Sequence, residues 1–181
     1  DENFAIILFH SITELSNNSE DHMSMILSLI NDLKIQAVLI FPNNDAGSNG
    51  IQNAIESNKN PRILVSRNVD RDSYINLMKN AKFLIGNSSS GILEAASFKL
   101  PVINLGRRQH GRLQSKNIIN AEFNKNEITS AIEKIYNDKE YINEVKSVKN
   151  LYGDGNSAKR IVKIMKNTQL DKKLIIKDIT Y

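Results

Sequence analysis

The sequence contains no cysteine, which removes any disulfide framework and any metal site built on thiolates. That agrees with a cytoplasmic protein, the location expected here. No apolar run approaches the length of a membrane span, and the first residues lack the pattern of a signal peptide, so no membrane partner is expected. Aromatic residues make up only 6% of the chain and do not interleave with the basic ones, which disfavours a nucleic-acid partner. The three histidines, His10, His22 and His110, share no ligand-like spacing, and no metal is expected. Walker-type loops, glycine–serine elbows, a Ser-His-Asp order and internal repeats are all missing. The chain starts Asp1-Glu2-Asn3, without an initiator methionine, and runs straight into an apolar segment. That beginning suggests a piece of something longer.

What is present suffices for one packed domain: 181 residues, 40% of them apolar. The domain is expected to span 1–167, with 168–181 as a tail whose apolar part, Leu174-Ile175-Ile176, invites self-association. Net charge is +4, from 24 basic and 20 acidic residues, a modest excess that suits an anionic small molecule. Apolar runs at Phe4–His10, Ala37–Phe41, Arg62–Ser66, Lys82–Ile85 and Pro101–Leu105 predict strands, with Asn117–Ile119 a short sixth. Between them, Met23, Ile26, Ile30 and Leu33 recur at helical spacing. So do Ile51, Ala54 and Ile55, then Tyr74, Ile75 and Met78, and later Ile128, Ile132 and Ile135. A last helix, capped by Asn156 or Ser157, is expected to bury Ala158, Ile161, Val162 and Met165. Strands alternating with helices predict an α/β fold with a doubly wound, mostly parallel, Rossmann-like sheet.

The most informative stretch is Ile85-Gly86-Asn87-Ser88-Ser89-Ser90-Gly91-Ile92-Leu93-Glu94. A strand ends, the backbone turns, and a helix is expected to begin near Gly91. A helix start offers unpaired N–H groups and a positive dipole end, which suit an anion. Serine hydroxyls add donors, and glycine would let a phosphate come close. Glu94, set beside the phosphates, could accept from a ribose diol. The alternative is that Ser88 to Ser90 merely cap the helix while Glu94 complements its dipole. One consideration favours a ligand site. His10, Asn43 to Ser48, Gly86 to Gly91, and Gly106 to Arg112 all follow predicted strands, so a parallel sheet would gather them on its C-terminal edge. His10 there could donate to phosphate, and Arg108 and Arg112 could offer forked donors, although a solvated basic loop would look the same. Besides Glu94, Asp45 is the only acid at that edge, so no acid–base carboxylate pair is recognisable.

Five ordered motifs resemble the C-terminal half of the UDP-N-acetylglucosamine 2-epimerases, especially the hydrolysing branch of sialic- and nonulosonic-acid synthesis. They are Phe9-His10-Ser11-Ile12-Thr13, Phe41 to Ser48, Gly86 to Glu94, Pro101 to Arg112, and Tyr152-Gly153-Asp154-Gly155-Asn156. Ser11 stands where family members often carry proline. The resemblance implies one half of a glycosyltransferase-B-like two-domain enzyme that uses no cofactor. It implies that Ser88 and Ser89 hold the UDP phosphates and Glu94 the ribose. The Val69 backbone would meet the uracil, and Asn43 and Arg108 would complete the nucleotide site. His10, the one catalytic candidate, would reach the diphosphate or the sugar. The family reaction eliminates UDP to a 2-acetamidoglucal and adds water to release N-acetylmannosamine. Its acid–base carboxylates belong to an N-terminal half, the implied partner, so this chain alone is expected to be inactive. The nucleotide-binding half of a glycosyltransferase, or a non-catalytic nucleotide-sugar module, are the other readings.

Overall fold

The computed structural model describes residues 3–176. It divides into two compact units, one running to Leu151 and one from Tyr152 on. In the first unit, six strands form a single parallel sheet: β1 (Phe4–Leu8), β2 (Gln36–Ile40), β3 (Ile63–Ser66), β4 (Phe83–Gly86), β5 (Val102–Leu105) and β6 (Ile118–Ala121). Their order is β3-β2-β1-β4-β5-β6, and every pairing is parallel. This is the doubly wound, Rossmann-like arrangement expected from the sequence.

The apolar strands are continuous because helices cover both sheet faces. Along β1 and the residue after it, Ala5, Ile7 and Phe9 enter one core, while Ile6 and Leu8 enter the other. The first core takes in Met23, Ile26 and Ile30 of α1 (Ser19–Asp32) and Ile51 and Ile55 of α2 (Ser48–Ser57). Ile128, Ile132 and Ile135 of α5 (Lys125–Asn137) join the same layer. On the opposite face, Met78 of α3 (Arg71–Asn80) packs against Leu84 and Val102. Burying an aliphatic side chain of this size contributes about 1.5–3 kcal/mol, so these two layers dominate the stability of the unit.

Several element limits differ from the sequence reading. β1 ends at Leu8, two residues before His10. The His10 N–H donates to Asn87 Oδ1 and its carbonyl accepts from Asn87 Nδ2, both at 2.8 Å, so a side chain replaces the strand neighbour there. Pro101 precedes β5, and the short sixth strand runs one residue later and longer than expected. An additional helix, α6 (Lys139–Ser147), is capped by Asp138 Oδ1, which accepts from the Glu140 and Tyr141 N–H groups.

The second unit holds α7 (Ser157–Asn167) and α8 (Lys172–Ile175). The predicted last helix is there, but its apolar row is not buried: Ile161, Val162 and Met165 are 56%, 48% and 69% exposed. An amphipathic pattern requires only a preferred face and does not supply the surface that covers it. Leu174 and Ile176 of the tail are likewise exposed. Residues 177–181 of the proposed tail lie outside the described residues.

Candidate functional site

In an all-parallel sheet every strand points the same way, so the loops after β1, β2, β4 and β5 share one edge. The order reverses between β1 and β4, and the crevice at such a switch point is where open α/β sheets bind ligands. Gly86 and Asn87 build that crevice. Gly86 has φ +146°, and a Cβ on it would lie 2.0 Å from the Leu8 carbonyl oxygen. Only glycine fits so close to β1 in that backbone conformation. Asn87, fully buried, then locks onto the His10 backbone as described above.

From His10 a closed ring of polar contacts crosses four loops. His10 Nδ1 lies 3.0 Å from Asn43 Oδ1, and Asn43 Nδ2 donates to Asp45 Oδ2 at 2.8 Å. Asp45 Oδ2 pairs loosely with Arg108 Nη2 at 3.7 Å, and Arg108 Nη1 donates to the Asn87 carbonyl at 3.2 Å. Buried Gln109 donates to that carbonyl as well, at 2.8 Å. The guanidinium is therefore aimed by two partners while its charge is only loosely met. Burial, and after it the Arg108 charge, hold the His10 imidazole below the ordinary histidine value; the Asn43 contact and Asp45 act the other way. A ≈ 680 Å³ cleft adjoins the ring, lined by Ser11, Ile12, Asp45, Arg107 and Arg108 among others. Ser11 Oγ lies 2.6 Å from Ser19 Oγ, tying this loop to the start of α1.

The serine stretch forms α4 (Ser89–Leu93), which starts two residues earlier than expected. Ser88 is its N-cap: the hydroxyl oxygen accepts from the Ser90 N–H at 3.3 Å, which promotes helix at Ser89. The Ser88 hydroxyl also lies 3.4 Å from Ser90 Oγ, where either oxygen can donate. Ser89 is half-buried, and its hydroxyl makes no hydrogen bond to a described residue. Gly91 is not a point of phosphate approach. It lies inside α4, where an added Cβ would sit 3.0 Å from Val102 Cγ1, so its job is close helix–sheet packing.

Glu94 caps the C-terminus of α4. Its Oε2 lies 2.5 Å from Arg71 Nη1, an ion pair whose angles fall outside hydrogen-bond geometry. The carboxylate is thus charge-compensated yet keeps acceptor capacity. Arg71 and Tyr74 are three apart on α3 and face the same way, and Tyr74 Oη lies 2.5 Å from Ser90 Oγ. α3 is in turn started by Asp70, whose carboxylate accepts from the Ser73 N–H at 2.9 Å. Val69 immediately precedes that cap. It follows β3, two strands away from β1.

The structure therefore joins His10, Asn43 and Arg108 in one network and places Ser88 and Ser89 beside Asn87 within it. Glu94 is paired separately with Arg71, which follows Val69 by two residues in the chain. Asn87, Gln109, Arg71 and Tyr74 were missed as site residues. Asn87 sits inside the glycine–serine stretch and Gln109 beside Arg108, and their sequence neighbourhood was the available signal.

The family model for UDP-N-acetylglucosamine 2-epimerase matches residues 1–166. A UDP-N,N'-diacetylbacillosamine 2-epimerase (hydrolyzing) of Legionella pneumophila is 27% identical over the full length of the chain, which covers 47% of that protein. A GDP/UDP-N,N'-diacetylbacillosamine 2-epimerase (hydrolyzing) of Campylobacter jejuni is 38% identical over 75% of the chain and 36% of its own length. Among solved structures, the UDP-GlcNAc 2-epimerase of Neisseria meningitidis bound to UDP-GlcNAc superposes with a TM-score of 0.73 at 17% identity, covering 93% of this chain and 46% of that one. The chain spans half or less of the length of each. Fold and family match together place this chain in the UDP-N-acetylglucosamine 2-epimerase family.

Proposed function

We propose that the chain is the UDP-binding half of a hydrolysing UDP-sugar 2-epimerase. One observation carries this reading: the loops after β1, β2, β4 and β5 meet over the switch point, with His10, Asn43 and Arg108 in one ring of contacts. Arg108, His10, Ser88 and Ser89 then hold the diphosphate, Asn43 orients His10, Glu94 accepts from the ribose and the Val69 backbone meets the uracil. In the reaction, the sugar's C1–O bond breaks and its electron pair leaves on UDP. C2 loses its proton and a C1–C2 double bond forms. Water then returns hydroxyl to C1 and a proton to C2 on the other face. Donors on the diphosphate stabilise the departing charge, and losing one such group typically costs on the order of 10²–10³ in rate. The groups that move the C2 proton belong to the other half of the enzyme.

The relatives named for hydrolysing enzymes support the hydrolytic outcome, and the sugar released would feed nonulosonic- or sialic-acid synthesis. Two of those names specify a diacetylated bacillosamine, so the sugar is best described as a 2-acetamido sugar. Calorimetric titration of the chain with UDP should show binding, and incubation with UDP-N-acetylglucosamine should release no N-acetylmannosamine. The longer enzyme containing this chain should release a free 2-epimer from UDP-N-acetylglucosamine or UDP-N,N'-diacetylbacillosamine. Absence of UDP binding would refute the site assignment, and turnover by this chain alone would refute the half-enzyme reading.

A further inference from the structure

The loop after β2 holds an acid that the UDP reading leaves without a role. Asp45 Oδ2 accepts from Asn43 Nδ2 at 2.8 Å. An ionised carboxylate can only accept, so the Asn43 amide must turn its nitrogen toward Asp45. The amide oxygen is then the atom 3.0 Å from His10 Nδ1, and it too can only accept. Nδ1 must therefore carry a hydrogen. The Asn43 backbone N–H also approaches Nδ1, at 3.4 Å, and would suit the opposite tautomer. That contact is longer, and with the opposite tautomer two lone pairs would face each other across 3.0 Å, so the side-chain contact decides. No described residue pairs with Nε2.

We infer that Asp45, acting through Asn43, is a positioning residue that fixes neutral His10 in its Nδ1–H tautomer and leaves Nε2 as the ring nitrogen offered to ligand. On the function proposed above, the group it meets is the UDP diphosphate, to which Nε2 donates once it has taken up a proton on binding. The charged groups facing His10 are Asp45, from the loop after β2, and Arg108, from the loop after β5, while the loop after β4 contributes only the neutral Asn87 amide. Holding the ring nitrogen by a second partner is how proteins choose which histidine nitrogen does the work.

The tautomer can be read directly from two-bond ¹H–¹⁵N correlations of the imidazole rings in the ¹⁵N-labelled chain, above pH 6.5, with His22→Gln and His110→Gln assigning the signals. Wild-type His10 should show the Nδ1–H pattern. Asp45→Asn should retain it, because its amide oxygen still accepts from Asn43 Nδ2. Asp45→Ala should lose it and drift toward the Nε2–H form that prevails for free histidine in water, with thermal unfolding confirming an intact fold. Asn43→Ala breaks the same relay at its second link and should shift the ring alike. A wild-type His10 protonated on Nε2, or an Nδ1–H pattern that survives both alanine variants, would overturn the inference. The measurement is made on the free protein, so a chain that failed to bind UDP would refute the proposed function alone.

Discussion

On the proposed function, Glu94 and His10 make opposite demands on a nucleotide, and each can be tested alone. Glu94 is held by Arg71 as an ion pair that leaves acceptor capacity free. Glu94→Ala should weaken UDP binding by about 1.5–3 kcal/mol, the worth of a charge-assisted hydrogen bond. The loss should be smaller for an analogue lacking the ribose hydroxyls, and equal losses in calorimetry would make Glu94 a folding residue. His10 is held below its ordinary value of 6.5 in the free protein, first by burial and then by Arg108. A diphosphate beside it favours the imidazolium, so binding should take up a proton, and affinity should fall as pH rises through the value in the complex. Titrations in buffers of different ionisation heat would detect that proton, and His10→Gln should abolish the difference. Folding carries the reverse sign: with the folded value depressed, the unfolded chain protonates more readily. The contribution is complete above 6.5 and is lost as pH falls into the window just below it.

The β4–α4 connection shows what an element can and cannot disclose through its letters. Glycine, serine and glutamate in that order announced a strand, a tight turn and a helix, and those are present. The two glycines could not be told apart in the sequence. Gly86 is required by its φ and by Leu8, whereas Gly91 is a packing contact with Val102. Gly86→Ala should therefore cost about 1–3 kcal/mol from backbone strain alone, with the clash against Leu8 added. Gly111→Ala, whose φ is +78° with nothing within 4 Å of an added Cβ, should cost only about 1–2 kcal/mol. Denaturant midpoints of the two variants would check the order. All five strands expected with a helix between them were found, because their apolar runs are bounded by polar loops. The order of the motifs places His10, Asn43, Asp45, Asn87 and Arg108 on one sheet edge but does not give the contacts that close them into a ring: they are up to 98 residues apart, and pairing of β1 with β2 and β4, and of β4 with β5, brings them together. The exposed row of α7 shows the converse limit: periodicity gave the helix and its face but no cover for it.

The unit ending at Leu151 contains every buried hydrophobic residue among the described ones, the last being Val148. A chain ending at Leu151 should accordingly fold and unfold in one cooperative thermal transition, and failure to show one would mean that these residues do not make a self-sufficient core. The strand order has another consequence, for the way the protein comes into being. β1, β2 and β3 follow one another along the chain, and β2 can pair with both neighbours early. The switch-point crevice needs β4 to dock on β1, and the Asn87–His10 clamp closes a span of 77 residues. Closing so long a loop is entropically slower than forming the neighbouring pairs. During refolding, pulse-labelled hydrogen exchange should protect β2 amides before those of β4, and simultaneous protection would contradict this order. A ribosome that has released the chain only as far as residue 80 would thus carry three strands of this sheet and no switch-point crevice. On the proposed function, a nucleotide can recognise, and stabilise, only a chain that has already committed to its final topology.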